Sequence, residues 1–228
     1  DFHRMWLAPS ARRYFVATDI VAEKMTRIGI APEHIQVTGL PVGPGFALPI
    51  DRGAILTALG LDPGISTILV STGGAGMATL PRIVGRLLDL PPPVQIIAVA
   101  GRNEILRTEL ARLSTPSGMT LRATGFVENM HELMSAADLV VTKPGGLTVA
   151  ECLASGAAAV YTAAIPGQEE ANADFVVRHG AGLHLRDGVA LIDSVGGLLA
   201  DPTARERMRA AARALGRPGA AVAVASAF

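Results

Sequence analysis

Short apolar runs alternate along the chain with longer stretches in which apolar residues recur at helical spacing. An unbroken apolar run such as Val94–Val99 indicates a strand buried on both faces, which is typical of parallel sheets covered by helices. The pattern predicts strands at Tyr14–Ala17, Ile35–Thr38, Ile68–Ser71, Val94–Val99, Thr120–Thr124, Leu139–Thr142, Ala158–Thr162 and Gly182–Leu185. It predicts helices at Asp19–Ile28, Pro81–Asp89, Glu104–Leu113, Met130–Ala136, Thr148–Ala154, Ala171–Arg178, Ala190–Leu199 and Ala204–Leu215, with another after Pro218. Alternation of this kind predicts an α/β fold with a doubly wound parallel sheet.

One segment interrupts the alternation. Residues 39–45, Gly-Leu-Pro-Val-Gly-Pro-Gly, are dense in glycine and proline, which predicts backbone without regular structure. Because the alternation restarts after this segment, we interpret it as a linker between two domains.

The loops that follow the strands carry the candidate chemistry, because ligands of doubly wound sheets bind outside the carboxyl ends of the strands. The loop Thr72-Gly73-Gly74-Ala75-Gly76-Met77 follows a predicted strand and precedes a helix. Its glycines let a phosphate approach the backbone at a helix N-terminus. A tight turn without a ligand explains the same residues, since the loop is neither a P-loop nor a complete Gly-x-Gly-x-x-Gly.

A second glycine loop, within the segment Thr142–Glu151, also joins a strand to a helix. Gly145 and Gly146 expose backbone donors for a phosphate. Glu151 lies one turn into the predicted helix, where a carboxylate accepts two hydrogen bonds from a ribose diol. Thr148 and Glu151 also have the spacing of a capping box. From the spacing alone, the capping box is slightly favoured over ribose binding.

Three further loops follow predicted strands. In the polar segment Ile165–Asn172, Gln168 and Asn172 share a helix face from which amides can bind sugar hydroxyls. An acidic first turn that complements the helix dipole is the alternative. Gly101-Arg102-Asn103 places a cation within reach of phosphates, and Gly125-Phe126-Val127 places an aromatic ring or an amide against a base. Both of these segments are equally well explained as connectors.

Composition excludes several classes of function. Basic and acidic residues number 20 each and aromatic residues make up 4%, so no nucleic-acid partner is expected. Cys152 is the only cysteine, which excludes an intrachain disulfide and a thiolate zinc cluster. The histidines lack a motif such as His-Glu-x-x-His, so no metal is expected. No apolar run approaches the ~20 residues that span a bilayer.

Together, these loops resemble a known family. Lys143–Glu151 and Pro166–Ala173, with Gly125-Phe126-Val127 before them, are similar in order and spacing to segments of the monogalactosyldiacylglycerol synthases and the processive diacylglycerol glucosyltransferases. The likeness extends from Tyr14–Ala17 and Ile35–Val42 to the tail around Arg217-Pro218. More distantly, the chain resembles the peptidoglycan glycosyltransferase that adds N-acetylglucosamine to lipid I.

The resemblance implies a GT-B fold, in which two Rossmann-like lobes face each other across a cleft. It assigns residues 1–40 to the end of an acceptor-binding lobe, 41–50 to an interdomain linker, 51–217 to a lobe that binds the UDP-sugar donor, and 218–228 to a helix that returns to the acceptor lobe. The chain lacks an initiator Met and begins like the middle of a protein, so we expect a fragment. The general base is then expected in the remainder of the N-terminal lobe, and no catalytic residue is assigned in this chain.

The implied activity is the transfer of a hexosyl group from a UDP-hexose to a lipid acceptor such as diacylglycerol. The UDP-sugar is a co-substrate, and no cofactor is implied. The expected location is cytoplasmic, peripheral on the inner face of the cell membrane, with the lipid reached through the acceptor lobe. The alternatives are a UDP-sugar 2-epimerase of the same fold and an inactive nucleotide-binding lobe. A dinucleotide-binding domain is disfavoured, because no Gly-x-Gly-x-x-Gly precedes an acidic residue by about 20 positions.

The resemblance also implies roles for individual residues, and it ranks ribose binding by Glu151 above the capping box. It assigns the diphosphate to Thr72, Gly73, Gly74, Ala75, Gly76, Gly145, Gly146, Leu147 and Thr148, the uracil to Phe126, Val127 and Met130, and the transferred sugar to Gln168, Glu169 and Asn172. The family often has Pro-Val-Arg where this chain has Pro41-Val42-Gly43, so a cation expected near the diphosphate is absent. Arg102 and Lys143 are the candidate replacements.

Overall fold

The computed structural model of the chain describes residues 7–8, 10–72, 79–162, 164–186 and 190–227. Within these ranges the strands form two parallel sheets. The smaller sheet pairs β1 (Tyr14–Val16) with β2 (Ile35–Val37). The larger sheet contains β3 (Ser66–Ser71), β4 (Val94–Val99), β5 (Met119–Thr124), β6 (Leu139–Thr142), β7 (Ala159–Thr162) and β8 (Leu183–Leu185), in the order β5-β4-β3-β6-β7-β8. The predicted doubly wound α/β fold is confirmed.

Helices connect the strands, and the predicted helices are confirmed apart from the residues at which some begin or end. The described helices are α1 (Asp19–Arg27), α2 (Arg52–Ala58), α3 (Leu80–Leu87), α4 (Glu104–Ala111), α5 (Met130–Ala136), α6 (Gly146–Ser155), α7 (Gln168–Arg178), α8 (Leu191–Ala200), α9 (Pro202–Leu215) and α10 (Ala220–Ala225). No helix within the described ranges is long and apolar enough to cross a membrane.

Two of the elements that differ from the prediction lie between β2 and β3. The segment 39–45 was predicted to lack regular structure, but a 3₁₀ helix, Pro44–Ala47, begins inside it. Proline at the first helical position already has the required φ angle, so the proline favours this turn. Helix α2 was not predicted, because it is short; its signal was Asp51, whose carboxylate accepts a hydrogen bond from the Ala54 amide at 3.0 Å.

The main sheet is buried on both faces, which explains its unbroken apolar runs. Ile68, Val70 and Ile96 pack on one face against α3, α4 and α8. Leu69 and Ile97, which alternate with them, pack on the other face against α5, α6 and α7. Both sides of each strand must therefore be apolar, and the site is left to the loops at the strand ends.

The small sheet packs near the C-terminal end of the chain. Gly39 has a φ of 85°, and a Cβ built on it would lie 2.6 Å from Cβ of Arg217. Glycine is therefore required there both by its backbone angle and by the close approach. The Arg13 guanidinium donates a hydrogen bond to the Ala227 carbonyl at 3.2 Å. The division of the chain at residues 40, 50 and 217 stays a prediction.

Candidate functional site

The strand order creates a crevice between β3 and β6. Strands β4 and β5 lie on one side of β3, whereas β6, β7 and β8 lie on the other, so the connections that leave β3 and β6 run in opposite directions. Ligands of open α/β sheets bind at such a switch point. Two hydroxyls join the strand ends here, with 3.3 Å between Oγ of Ser71 and Oγ1 of Thr142.

The two predicted glycine loops flank this crevice. The first loop begins at Thr72, which is buried. The residues that follow it and were predicted to bind a diphosphate, Gly73, Gly74, Ala75 and Gly76, lie outside the described residues. The second loop follows β6 and leads directly into α6. The side of the crevice formed by the loop after β6 is therefore the side whose geometry is described in full.

Helix α6 begins with backbone amides that none of the described side chains caps. Gly145 is its N-cap residue, and within the described part of the chain no side chain accepts a hydrogen bond at this end. The amides of Gly146, Leu147 and Thr148 occupy the first turn, and an uncapped first turn offers N–H donors and a positive dipole end to an anion. The second glycine loop thus presents the kind of site that a phosphate binds.

The capping box, which was the alternative explanation for Thr148 and Glu151, is not formed. The helix starts at Gly146, so Thr148 is its third residue and Glu151 its sixth. A glycine pair is a poor helix former and suggested a turn, but Gly145 has a φ of −61° and a ψ of 145°, which is the extended backbone of an N-cap. Glu151 is therefore not used to cap the helix.

Glu151 carries a half-buried carboxylate without a hydrogen-bond or ion-pair partner among the described residues. Burial raises the pKa of this carboxyl above its ordinary value. The neighbouring Cys152 is fully enclosed, and burial raises the pKa of its thiol to about 12, so it is not a reactive nucleophile. A desolvated carboxylate that lacks donors is suited to accept hydrogen bonds from hydroxyls of a ligand.

A buried ion pair holds the start of α7 against the loop after β6. Lys143 Nζ lies 3.3 Å from Oε2 of Glu169, and the two side chains are 8% and 19% exposed. The same Oε2 accepts a hydrogen bond from the Ile165 amide at 2.8 Å. Asn172 Nδ2 donates to the Pro144 carbonyl at 3.0 Å. Two of the residues that the resemblance assigns to the sugar are thus engaged within the protein.

The first turn of α7 also satisfies its own backbone. The helix begins at Gln168, three residues before its predicted start, and Gln168 is exposed at its end. Glu170 accepts a hydrogen bond from the Gly167 amide at 3.2 Å. This contact corresponds to the acidic first turn that was the alternative to sugar binding, and Gln168 keeps a side chain that reaches solvent.

The loops after β4 and β5 meet each other. The Arg102 guanidinium lies over the Phe126 ring, 4.8 Å from its centroid, and Phe126 is 58% exposed. A guanidinium on an aromatic face is attracted by the ring quadrupole. Val127 and Met130 pack partly against the core beside α5. Phe126, Val127 and Met130, the residues assigned to the uracil, therefore form a partly apolar surface. The exposed ring of this surface, Phe126, is in contact with the Arg102 guanidinium.

A cavity of about 440 Å³ lies between the small sheet and helices α6 and α7. Sequence reasoning missed its near wall, which includes Phe15, Thr18 and Leu40; the far wall includes Val149, Gln168 and Asn172. The signal was present, because Thr18 follows β1 and caps α1, with its hydroxyl 3.4 Å from the Val21 amide. The strand-end rule was applied only to the main sheet.

The described residues contain no group of three or more His, Cys, Asp or Glu side chains placed to hold a metal ion. The buried polar groups at the carboxyl ends of β3, β6 and β7 are instead the hydroxyls of Ser71, Thr72, Thr142 and Thr162 and the ion pair of Lys143 with Glu169. They are suited to bind phosphates and hydroxyls directly.

The fold is that of a Rossmann-like lobe of the GT-B type. Anabaena Alr3699/HepE in complex with UDP-glucose superposes with a TM-score of 0.61 at 18% identity, over 95% of this chain and 63% of that chain. A UDP-N-acetylglucosamine 2-epimerase superposes with a TM-score of 0.67 at 17% identity, over 94% of this chain and 56% of that chain. At these identities the likeness establishes the fold alone.

The chain belongs to glycosyltransferase family 28, because residues 67–223 match the C-terminal domain of that family. Residues 1–42 match the monogalactosyldiacylglycerol (MGDG) synthases. A processive diacylglycerol beta-glucosyltransferase from Bacillus subtilis (strain 168) is 33% identical over 207 residues, which cover 91% of this chain and 54% of that protein. The chain thus spans about half the length of the curated relatives it matches.

Proposed function

We propose that the chain is the UDP-sugar-binding lobe of an enzyme that transfers a hexosyl group to a lipid such as diacylglycerol. The observation that carries the proposal is Glu151, a half-buried carboxylate without a described partner, on a helix whose first turn no described side chain caps. Both features lie on α6, which starts at the switch point of the sheet. A nucleoside diphosphate offers the two complementary groups, an anion for the helix end and a diol for the carboxylate.

The proposed donor runs along the carboxyl ends of the strands. The diphosphate lies on the amides of Gly146, Leu147 and Thr148, with Thr72 and the loop after it on the other side of the crevice. The ribose hydroxyls donate hydrogen bonds to the Glu151 carboxylate. The uracil lies on the partly apolar surface formed by Phe126, Val127 and Met130. The uracil is thus placed near the end of β5 and the diphosphate near the end of β6. These two strands lie on opposite sides of β3 and β4, so the donor extends across the middle of the sheet.

In the proposed reaction, this lobe acts by position and by electrostatics. Negative charge builds on the UDP leaving group as the bond to the hexose breaks. Fixed amides and the dipole of α6 stabilise that charge without having to reorganise at the moment of reaction. No described side chain is assigned as the general base.

The lipid acceptor is inferred from the relatives. The B. subtilis protein is named a diacylglycerol glucosyltransferase, and residues 1–42 match the MGDG synthases. We infer that the acceptor approaches from the side of the small sheet, at the membrane surface on the cytoplasmic side. The likeness to a 2-epimerase concerns the fold, whereas the family match covers residues 67–223 and favours a transferase.

Thermal unfolding of the chain in the presence of nucleotides tests the donor assignment. UDP at 100 times its dissociation constant is expected to add about 2.7 kcal/mol to the free energy of unfolding, which raises the midpoint by roughly 5–10 °C. ADP and NAD at the same concentration are the controls and should have little effect. A folded chain that ignores UDP, or that responds to NAD instead, contradicts the proposal.

A further inference from the structure

The backbone around Arg102 is fixed, whereas the Arg102 side chain is exposed. Gly101, with a φ of 60°, turns the chain where β4 ends. The Ala100 amide donates a hydrogen bond to the Thr124 carbonyl at 2.8 Å, which joins this loop to the end of β5. Asn103 caps α4, because its Oδ1 accepts a hydrogen bond at 2.9 Å from an amide of the first turn. The residues on both sides of Arg102 therefore have structural roles that Arg102 does not share.

The Arg102 guanidinium has hydrogen-bond donors that the described part of the chain does not use. Its Cζ lies 4.8 Å from the centroid of the Phe126 ring, and no hydrogen bond or ion pair joins it to a described residue. The nearest acid along the chain, Glu104, is paired with Arg107, with 2.7 Å between Oε2 and Nε. An arginine carries five N–H donors and no acceptor. The guanidinium over Phe126 thus offers donors to a ligand.

The direction of the Arg102 side chain does not suit the diphosphate. The diphosphate is proposed to lie on the first turn of α6, which follows β6. Because β3 lies between β4 and β6, two strand spacings of about 4.8 Å each separate the loop after β4 from that turn. The guanidinium lies over Phe126, which follows β5 on the far side of β4. Arg102 therefore extends toward the place proposed for the base.

The edge of a pyrimidine base is where a guanidinium can discriminate. Uracil has an acceptor at O4, whereas cytosine has a donor, the N4 amino group, in the same place. A group that only donates complements the first and opposes the second. The apolar contacts of Val127 and Met130 suit both rings alike, since the two pyrimidines have nearly the same shape. A selective contact must therefore come from a polar group such as Arg102.

We propose that Arg102 is a specificity-determining residue, which donates a hydrogen bond to O4 of the uracil while the Phe126 ring holds its guanidinium in place. The inference rests on the proposed function, because it needs the base at the end of β5. It gives Arg102 a contact with the base in place of the diphosphate contact for which its charge made it a candidate. The nucleotide preference of the site then depends on this one side chain.

The test is to measure the dissociation constants for UDP and CDP by calorimetry, on the whole chain and on its variant Arg102→Met. Methionine keeps an apolar side chain against Phe126 and removes both the donors and the charge. The UDP affinity should fall by about tenfold, since a hydrogen bond from a charged donor is lost. The CDP affinity should change by less than about threefold, so the preference for UDP over CDP should shrink several-fold.

Two results with Arg102→Met overturn the inference. Equal losses of affinity for UDP and CDP would mean that the guanidinium acts on the diphosphate, which the two nucleotides share. An unchanged UDP affinity would mean that Arg102 is a surface cation without a ligand. UMP provides a further check, because a contact with the base predicts the same tenfold loss for UMP, whereas a contact with the second phosphate predicts no loss.

Arg112 provides the matched control. It is the C-cap residue of α4, at the other end of the helix that follows Arg102, and it is exposed. Arg112→Met removes the same charge and should leave the affinities for UDP and CDP within about threefold of the parent. A loss as large as that of Arg102→Met would show an effect of net charge and contradict the inference.

The parent chain separates this inference from the proposed function. A parent that does not bind UDP contradicts the proposed function, and with it the inference. A parent that binds UDP but binds CDP equally well contradicts the inference alone. The same holds for a parent whose preference for UDP survives Arg102→Met in full.

Discussion

Replacing Glu151 by glutamine is expected to weaken UDP binding by about tenfold to a hundredfold, because hydrogen bonds to a charged group each contribute about 1.5–3 kcal/mol. The same substitution is expected to raise the thermal stability of the ligand-free chain at neutral pH. The carboxylate is half-buried without a described partner, and burial raises its pKa, so the ionised form opposes folding. Calorimetry with UDP and thermal unfolding without it measure the two effects.

The pH dependence gives this prediction a second check. A carboxyl whose pKa is higher in the folded than in the unfolded chain stabilises the fold below the unfolded pKa, and this contribution is lost as the pH rises through the folded pKa. The stability gain of Glu151→Gln should therefore be largest at neutral pH and disappear in acid. A variant that is less stable than the parent at neutral pH would show that Glu151 has a stabilising partner.

Replacing Gly216 by alanine is expected to destabilise the fold by about 3 kcal/mol, which lowers the unfolding midpoint by roughly 6–12 °C. The φ of Gly216 is −62°, so the backbone angle suits any residue. A Cβ there would, however, lie within 3 Å of the Leu153 backbone, at 2.8 Å from the carbonyl carbon. That obstacle is main chain of α6 and cannot rotate away, so α9 must move off α6.

Gly219 provides the matched control for this substitution. A Cβ on Gly219 meets none of the described atoms within 4 Å, so Gly219→Ala should leave the midpoint nearly unchanged. The Gly216 contact is with Leu153, near the C-terminal end of α6, whereas the amides proposed to bind the diphosphate lie in the first turn of that helix. At a temperature where both variants are folded, we expect both to bind UDP like the parent. Equal midpoints for the two variants would contradict the steric argument.

The strands were predictable because burial on both faces forces unbroken apolar runs. Val94–Val99 and Leu139–Thr142 were predicted with the bounds that the structure has. The start of α6 was not, because Gly145 and Gly146 have the composition of a turn, and Thr148 with Glu151 have the spacing of a cap. Local sequence patterns are ambiguous where glycine itself supplies the N-cap.

The pairing of Lys143 with Glu169 was beyond the reach of the sequence. The two residues lie on different loops, and only the adjacency of β6 and β7 brings them together. The resemblance pointed to both as donor contacts, since each follows a strand at the same edge of the sheet. Whether a strand-end side chain faces a ligand or a neighbouring loop depends on burial, which a single sequence does not reveal.

Amide hydrogen exchange with and without UDP tests the central claim most directly, because it locates the nucleotide on the chain. The account predicts slower exchange on UDP addition in the first turn of α6, at Gly146, Leu147 and Thr148, and in the loop that contains Phe126 and Val127. It predicts no change in α9. Protection confined to another region, such as the cavity between the small sheet and α7, would contradict the proposed donor site.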